Sequence, residues 1–307
     1  MNIVFMGTPD FAGESLKALY NEKYNISAVF TKPDMPVGRK HILTPPEVKV
    51  IAEELNIPVF QPETLKGGKA LEILKQLNPD LIVVVAYGKI LPKEILDLPK
   101  YGCINVHASL LPKFRGASPI QWAIVSGEKV TGVSTMYLNE GMDTGDVLLS
   151  EQTEIGENET AETLWDRLAV LGASLLIKTV KGLEENTIIP VPQEEKQATY
   201  APIIKKSDGL IDWTKSAFEI NCKIRGLHNW PVAFTKSGGK MLKIFAAEIV
   251  NKSAKPGEVL KCDNELIVAC GENALKILEL QLEGSKRMKT EDFLRGKKIQ
   301  DKFLGVE

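Results

Sequence analysis

Metal-binding and redox patterns are scarce in this sequence. Its 307 residues include only four cysteines and three histidines, and no two cysteines have the CxxC spacing. Four cysteines and three histidines offer few ligands for a zinc site, and the cysteine density is too low for a disulfide scaffold. We therefore expect no metal centre, and we interpret the four thiols as small hydrophobic side chains in a reducing compartment.

Long hydrophobic runs are also missing. The longest, residues 81–87, has the length of a strand and falls far short of the ~20 apolar residues that a membrane helix needs. Met1 is followed almost at once by the apolar segment 3–6, which leaves no room for the charged and hydrophobic regions of a signal peptide. We expect a cytoplasmic protein without membrane contacts.

A dinucleotide fingerprint is absent too. The turn after the first apolar segment reads Gly7-Thr8-Pro9-Asp10, which does not match GxGxxG. Considered alone, this segment is an ordinary tight turn into a helix. We expect no nicotinamide or flavin dinucleotide to bind there.

The net charge of −2 conceals an uneven distribution. Residues 1–202 have 19 basic and 26 acidic side chains, whereas residues 203–307 have 19 basic and 14 acidic ones. A basic second part can face a polyanion. The same surplus is equally consistent with a lysine-rich surface that only keeps the protein soluble.

Strand and helix patterns alternate through the first part of the chain, which predicts a doubly wound, Rossmann-like α/β sheet. Residues 81–86 are apolar throughout, as in a parallel strand covered on both faces. The predicted strands are residues 2–6, 26–31, 81–86, 103–107, 133–138 and 146–154. The predicted helices are residues 11–21, 46–55, 67–77, 119–125 and 160–181.

The pattern changes after residue 183. The next stretch is polar, contains three prolines and lacks helical periodicity, which is typical of a linker. A helix at 216–225 and five short strands then predict a small β-barrel of the oligonucleotide-binding type. These strands are residues 232–235, 242–249, 257–261, 265–269 and 274–280. We expect a catalytic domain over 1–189, a linker over 190–206 and the barrel domain over 207–307.

Polar residues follow the predicted strand 103–107, at a strand end where doubly wound sheets bind ligands. Asn105 and His107 are two apart, so both side chains point to the same side of that strand. The glycine-flanked loop 139–147 could bring the carboxylate of Asp143 to His107. Two structural alternatives stay open, because a lone histidine is often structural and Asp143 could simply form a hairpin turn.

An amide, an imidazole and a carboxylate without a Ser or Cys nucleophile suggest acyl transfer to an external nucleophile. The carboxylate would orient the imidazole, and the amide and imidazolium would face a developing oxyanion. Composition and spacing do not identify the acyl group.

Four segments of the chain resemble the methionyl-tRNA formyltransferase family, within the folate-dependent formyltransferases, and together they run over nearly the whole sequence. They are MGTPDFA (6–12), INVHASLLPKFRGASPI (104–120), TGVSTMYLNEGMDTGDVL (131–148) and IKKSDGLIDWTKSAFEINCKIRGLHNWPVAF (204–234). The resemblance implies formyl transfer from 10-formyltetrahydrofolate to methionyl-initiator tRNA. It implies no metal, and we expect a monomer in the bacterial cytoplasm.

The resemblance also implies roles for individual residues. Asn105, His107 and Asp143 match the family's catalytic trio, and its folate-contacting stretch is matched by Ser109, Leu110, Leu111 and Pro112. The family grips the acceptor stem with an inserted loop, which here spans residues 32–46 and includes Arg39 and Lys40. Phosphates further down the stem would be neutralised by basic residues of the second part, namely Lys205, Lys206, Lys286 and Lys289.

One segment departs from the family pattern, and several other functions compete. The chain has His228-Asn229-Trp230-Pro231 where members often have Asn-Pro-Trp-Pro. Formyltransferases acting on a sugar amine, and hydrolases with water as the acceptor, share the two-domain length but resemble this chain less in residues 33–46. Glycinamide ribonucleotide formyltransferases normally lack the second domain. A non-enzymatic RNA-binding protein would not need the trio.

Overall fold

The computed structural model describes residues 1–38, 41–297 and 299–305. The chain divides into two compact units, each built from more than one stretch of sequence. The first comprises Met1–Gly116, Thr131–Thr153 and Trp165–Ala201; the second comprises Ala117–Val130, Glu154–Leu164 and Pro202–Glu307. Boundaries at 189 and 207 stay our proposed division along the sequence.

The first nine strands form a large sheet and a separate hairpin. They are β1 (Asn2–Gly7), β2 (Asn25–Phe30), β3 (Met35–Val37), β4 (Ile42–Thr44), β5 (Val59–Phe60), β6 (Leu81–Val85), β7 (Cys103–His107), β8 (Val130–Tyr137) and β9 (Val147–Glu154). In the described residues the sheet has the order β5-β2-β1-β6-β7-β8-β9, and β3 pairs with β4 alone. Strands β5, β2, β1, β6 and β7 are parallel, and β8 is antiparallel to β7. The strand order reverses at β1, so ligand binding is expected beyond the carboxyl ends of the central strands.

The α-helices of the described residues are α1 (Asp10–Asn21), α2 (Glu47–Glu54), α3 (Gly68–Leu77), α4 (Lys93–Leu96), α5 (Pro119–Val125), α6 (Ala161–Glu184), α7 (Ala217–Gly226) and α8 (Thr290–Gly296). Helices α1 to α4 belong to the first unit, α5, α7 and α8 belong to the second, and most of α6 belongs to the first. One sheet face packs into a buried hydrophobic cluster that includes every second residue of the central strands, among them Val4, Met6, Ala28, Phe30, Ile82 and Val84. All five residues of β6 are buried, as its continuous apolar sequence predicts.

The second unit contains an antiparallel sheet. Its strands are β10 (Ala233–Ser237), β11 (Lys240–Val250), β12 (Val259–Lys261), β13 (Leu266–Ala269), β14 (Ala274–Leu282) and β15 (Met288–Lys289). Strand β14 pairs with β11 along one edge and shares its other edge between β13 and β15. Register shifts in β11 and β12 interrupt the regular pairing, as expected where a small sheet curls. The predicted Rossmann-like sheet is confirmed, and the predicted small β-barrel domain is present as a curled antiparallel sheet of half-barrel form.

Helix α7 begins with a capping box. The Glu219 amide donates to Ser216 Oγ at 3.2 Å, and the Ser216 amide donates to Glu219 Oε2 at 2.9 Å. Its apolar face buries Ile220 and Ile224 in the hydrophobic cluster of the second unit.

Each sequence-predicted helix and strand is present, with ends that differ by a few residues. The elements that the sequence did not predict are short: hairpin β3–β4, β5, α4, β15 and α8. Strands of two or three residues show no alternation, so their pairing cannot be recognised from a hydrophobic period. Among the described residues, no helix is long and apolar enough to cross a membrane.

The cysteines form no disulfide. Cys103, Cys222 and Cys270 are buried, whereas Cys262 is half-buried. Burial raises the pKa of both Cys103 and Cys270 to about 12, which keeps these thiols protonated and unreactive. The interpretation of the cysteines as small hydrophobic side chains is confirmed for these buried positions.

Glu265 lies between two lysines, and we expect this contact to make a small contribution to stability that is lost in acid. Glu265 lies 2.6 Å from Lys276 Nζ and 2.9 Å from Lys261 Nζ, and the hydrogen bonds from Lys276 and then Lys261 lower its pKa from 4.5 to about 2. The stabilisation is present above the unfolded-state pKa and is lost as pH falls from about 4.5 to about 2. We expect Glu265→Gln to lower Tm at pH 7, with the difference from wild type shrinking toward pH 2.

The matched control is Glu272→Gln, which removes the same charge from an exposed position in the same unit. Thermal unfolding of the three proteins between pH 2 and pH 7 checks the expectation. An equal Tm decrease for Glu265→Gln at pH 7 and at pH 2 would contradict an electrostatic origin.

Candidate active site

Two polar side chains lie side by side on the buried strand β7. Asn105 and His107 are 9% and 6% exposed, on a strand flanked by β6 and β8. Their alternation along the strand places both on the same side. Within residues 1–38, 41–297 and 299–305, the Asn105 side-chain amide has no hydrogen-bond partner. Its side chain keeps a small exposed area, so the amide is available to a bound molecule.

The hydrogen bonds of His107 define its tautomer. Nε2 lies 2.9 Å from the carbonyl oxygen of Phe114, which can only accept, so Nε2 has the proton. Nδ1 faces Asp143 Oδ2 at 3.7 Å. In the neutral ring Nδ1 is therefore a proton acceptor, and in the imidazolium it becomes a donor with a carboxylate nearby.

Asp143 lies on the loop between β8 and β9. Its carboxylate is close to the His107 ring, as the sequence predicts. Its φ of 53° is in the left-handed region. The Gly116 amide donates to Oδ2 at 2.8 Å. At the start of the loop, Asn139 Oδ1 accepts from the hydroxyl of Thr144 at 2.8 Å. The carboxylate is therefore held by one backbone amide while it faces the imidazole.

The predicted folate-contacting stretch forms a turn directly after β7. Ser109 Oγ donates to the carbonyl of Lys113 at 2.6 Å. Ser134 on β8 ties the turn to the sheet, because its hydroxyl donates to Ser109 O at 2.8 Å and accepts from the Leu111 amide at 3.1 Å. Leu110, Leu111 and Pro112 are half-buried, so this turn offers partly exposed apolar surface close in sequence to His107.

Sequence reasoning missed a buried arginine and the segment that surrounds it. Arg115 is 1% exposed; its Nε donates to Gln193 Oε1 at 3.0 Å and its Nη1 to Glu195 Oε2 at 2.8 Å. The Arg115 hydrogen bond holds the pKa of Glu195 below its usual value. Gln193 Nε2 in turn donates to the carbonyls of Asp143 at 2.9 Å and Gly145 at 2.7 Å. Arg115 stands within the quoted motif, whereas nothing in the polar stretch around Gln193 indicates a role.

The turn after β1 has structural roles. Asp10 Oδ1 accepts from Trp165 Nε1 at 3.1 Å, and a Cβ on Gly7 would lie 2.7 Å from the Phe5 ring. These contacts favour the interpretation as a tight turn into α1. In the part of the chain that is described, no group of three or more His, Cys, Asp and Glu side chains could hold a metal ion.

The predicted tRNA contacts fall in different places. Arg39 and Lys40 lie outside the described residues, between β3 and β4. Lys205 and Lys206 are exposed in the second unit, where the Lys205 amide donates to Asp208 Oδ2 at 2.6 Å. His228, in the segment that departs from the family pattern, has Nδ1 3.2 Å from the carbonyl of Phe245.

Comparisons with known proteins agree along most of the chain. The family described as formyl transferase matches residues 1–180, and the family described as formyl transferase, C-terminal domain, matches residues 203–298. The protein named methionyl-tRNA formyltransferase from Caldanaerobacter subterraneus subsp. tengcongensis is 53% identical, over 98% of this chain and 98% of its own.

Solved structures share the fold. The methionyl-tRNA formyltransferase from Clostridium thermocellum has a TM-score of 0.54 at 23% identity, covering 82% of this chain and 95% of that one. HypX from Aquifex aeolicus, in complex with tetrahydrofolic acid, has a TM-score of 0.65 at 18% identity. That comparison covers 95% of this chain but 46% of HypX.

Proposed function

The chain belongs to the methionyl-tRNA formyltransferase family, and we propose that it transfers the formyl group of 10-formyltetrahydrofolate to the α-amine of methionyl-initiator tRNA. The observation that carries this proposal is the identity of 53% over 98% of the chain, which spans both compact units. A tetrahydrofolate bound to HypX, which shares the fold, supports the choice of folate.

The site suits a reaction at a formyl carbon. When bound, 10-formyltetrahydrofolate would supply the formyl group, whose oxygen gains negative charge as an amine adds. The unpartnered Asn105 amide supplies a donor for that oxygen. His107 adds a second donor through Nδ1 when the ring is protonated, because Nε2 is already bonded to Phe114.

Asp143 is proposed to fix His107 and to help remove the proton of the attacking amine. Its Oδ2 faces Nδ1 at 3.7 Å and is itself held by the Gly116 amide. To complete the transfer, the bond between the formyl carbon and N10 of the folate would break and a proton would pass to N10, which releases tetrahydrofolate. The turn of Ser109, Leu110, Leu111 and Pro112 is proposed to line the folate site with its half-buried apolar surface.

The direct test is incubation with methionyl-initiator tRNA and 10-formyltetrahydrofolate, followed by detection of formylmethionine. We expect formylation of initiator tRNA and little reaction with elongator methionyl-tRNA. Two controls address the alternative acceptors: a sugar amine in place of tRNA, and no acceptor at all. Release of formate without tRNA, or formylation of the sugar alone, would contradict the proposal.

Initiator tRNA is proposed to contact basic residues in both units. Arg39 and Lys40 are proposed to grip the acceptor stem, since a guanidinium can pair bidentately with a phosphate or a base edge. Lys205 and Lys206 are exposed and are proposed to neutralise phosphates.

Lys206→Ala should weaken tRNA binding and leave turnover at saturating tRNA unchanged. Loss of one phosphate contact should reduce the slope of log Kd against log salt by about one unit. Lys75→Ala, which removes an exposed lysine of α3, is the matched control. Titrations with initiator tRNA at several salt concentrations measure both slopes, and an unchanged slope for Lys206→Ala would exclude this contact.

We also propose that the protein is a monomer in the bacterial cytoplasm. Both compact units contain a buried hydrophobic cluster made within one chain, so neither core needs a second copy. The unpaired cysteines suit a reducing compartment. Light scattering at micromolar concentration tests the monomer, and a dimer mass would contradict it.

A further inference from the structure

A closed ring of bonds surrounds Asp143. The Gly116 amide donates to its carboxylate at 2.8 Å, and Gln193 Nε2 donates to its carbonyl at 2.9 Å. The ring closes through Arg115, which precedes Gly116 in the chain and donates from Nε to Gln193 Oε1 at 3.0 Å. The Asp143 side chain is thus connected directly to Gly116, and its backbone carbonyl is connected through Gln193 to Arg115.

Arg115 is held in place by burial, by an ion pair and by backbone hydrogen bonds. Its guanidinium is 1% exposed and pairs with Glu195. Its backbone amide donates to Thr199 O at 2.9 Å, and its carbonyl accepts from the Ala201 amide at 2.7 Å. Because a guanidinium has donors only, the oxygen of Gln193 must face Arg115 and its NH₂ group must face the loop. The amide orientation is therefore set by chemistry.

Gln193 donates to the loop where its backbone conformation is unusual. The φ of 53° at Asp143 lies in the left-handed region, which is unfavourable for a residue with a Cβ. The carbonyls of Asp143 and Gly145 both accept from Gln193 Nε2, at 2.9 Å and 2.7 Å. A single amide group thus satisfies two loop carbonyls and fixes the direction of the peptide that follows Asp143.

We propose that Gln193 is a positioning residue, which keeps Asp143 in place beside His107 without touching the substrates. The catalytic part of this inference rests on the proposed function, whereas the positioning part does not. A displacement of about 1 Å in a catalytic group can cost about 10²-fold in rate.

Gln193→Glu tests the donor directly. Glutamate keeps the shape and can still accept from Arg115, but it offers no N–H group to the two carbonyls. We expect kcat for formyl transfer to fall about 10–100-fold while the KM values for tRNA and folate stay within about twofold. Gln193→Met, which loses the acceptor as well, should lose at least as much. The matched control is Gln197→Met, an exposed glutamine four positions later, which should retain wild-type kinetics.

A double mutant separates positioning from a general structural effect. If Gln193 acts through Asp143, adding Gln193→Glu to Asp143→Asn should lower kcat by less than about twofold further. Losses that multiply in the double mutant, or a Gln193→Glu enzyme with wild-type kcat, would overturn the proposal.

Hydrogen exchange gives a readout that does not depend on activity. The Gly116 amide is protected by the Asp143 carboxylate, so we expect it to exchange at least about tenfold faster in Gln193→Glu at unchanged Tm. Gln197→Met should leave this rate as in wild type. An unchanged Gly116 rate in Gln193→Glu would refute the positioning role. A wild-type protein that does not formylate tRNA would refute the proposed function, while the exchange rates still decide the positioning.

Discussion

Replacing His107 by alanine should lower kcat for formyl transfer by about 10²–10³-fold, with a far smaller effect on either KM. The reason is that, in the mechanism we propose, the imidazole would contact the reacting oxygen most strongly as negative charge develops there. Steady-state kinetics with methionyl-initiator tRNA and 10-formyltetrahydrofolate measure the effect. Asp143→Asn should cause a comparable loss, because it keeps the shape but removes the charge that faces Nδ1 at 3.7 Å.

The control for this experiment is His228→Ala in the second unit, where Nδ1 contacts the carbonyl of Phe245. Its kcat at saturating tRNA should match that of wild type. If His107→Ala or Asp143→Asn kept more than about a tenth of the wild-type kcat, the roles assigned to this pair would be wrong.

Gly145→Ala should also lower activity, because it should displace the backbone of the loop that contains Asp143. A Cβ at this position would lie 1.8 Å from the carbonyl oxygen and 2.8 Å from the carbonyl carbon of Tyr137. Because those are backbone atoms of the neighbouring strand, the loop has to move instead. Such a movement would displace Asp143, two residues earlier, and we expect kcat to fall by about 10²-fold. A lower Tm should accompany the loss.

The control variant is Gly296→Ala at the end of α8. Among the described residues, no atom outside its own helix and chain neighbours lies within 4 Å of the position that a Cβ would take there. The variant should be neutral or slightly stabilising, since alanine reduces the freedom of the unfolded chain. Kinetics and thermal unfolding of both variants check the comparison. Wild-type activity in Gly145→Ala would show that the loop tolerates displacement and that its geometry does not set the rate.

Hydrophobic pattern was sufficient to predict the main elements of the fold. Strand β6 is apolar at all five positions and is buried at all five, and the polar–apolar spacing of residues 160–181 predicts most of α6. The hydrophobic pattern did not predict elements that form only by pairing with another strand. The hairpin β3–β4 has three residues in each strand, too few to show a period, and is defined by its cross-strand pairs.

The sequence predicted the proposed catalytic side chains on β7 and on the loop after β8. It did not predict the residues whose hydrogen bonds hold Asp143. Asn105 and His107 follow from strand alternation, and Asp143 follows from a loop between two predicted strands. Gln193 meets Asp143 across 50 positions of sequence and Arg115 across 78. No local rule relates such distant residues, and the near-complete burial of Arg115 contradicts its hydropathy.

The hydrogen bonds between Arg115 and the segment through Ala201 determine where the catalytic unit can be cut. During synthesis the proposed catalytic trio of Asn105, His107 and Asp143 leaves the ribosome well before Gln193, so it emerges before the residue that donates to the Asp143 backbone. A fragment ending at residue 180, where the first family match ends, would retain the trio and lose the donor to Asp143. A fragment ending at Ala201 would retain the whole ring. We therefore expect a fragment ending at Ala201 to hold Asp143 in place better than one ending at residue 180.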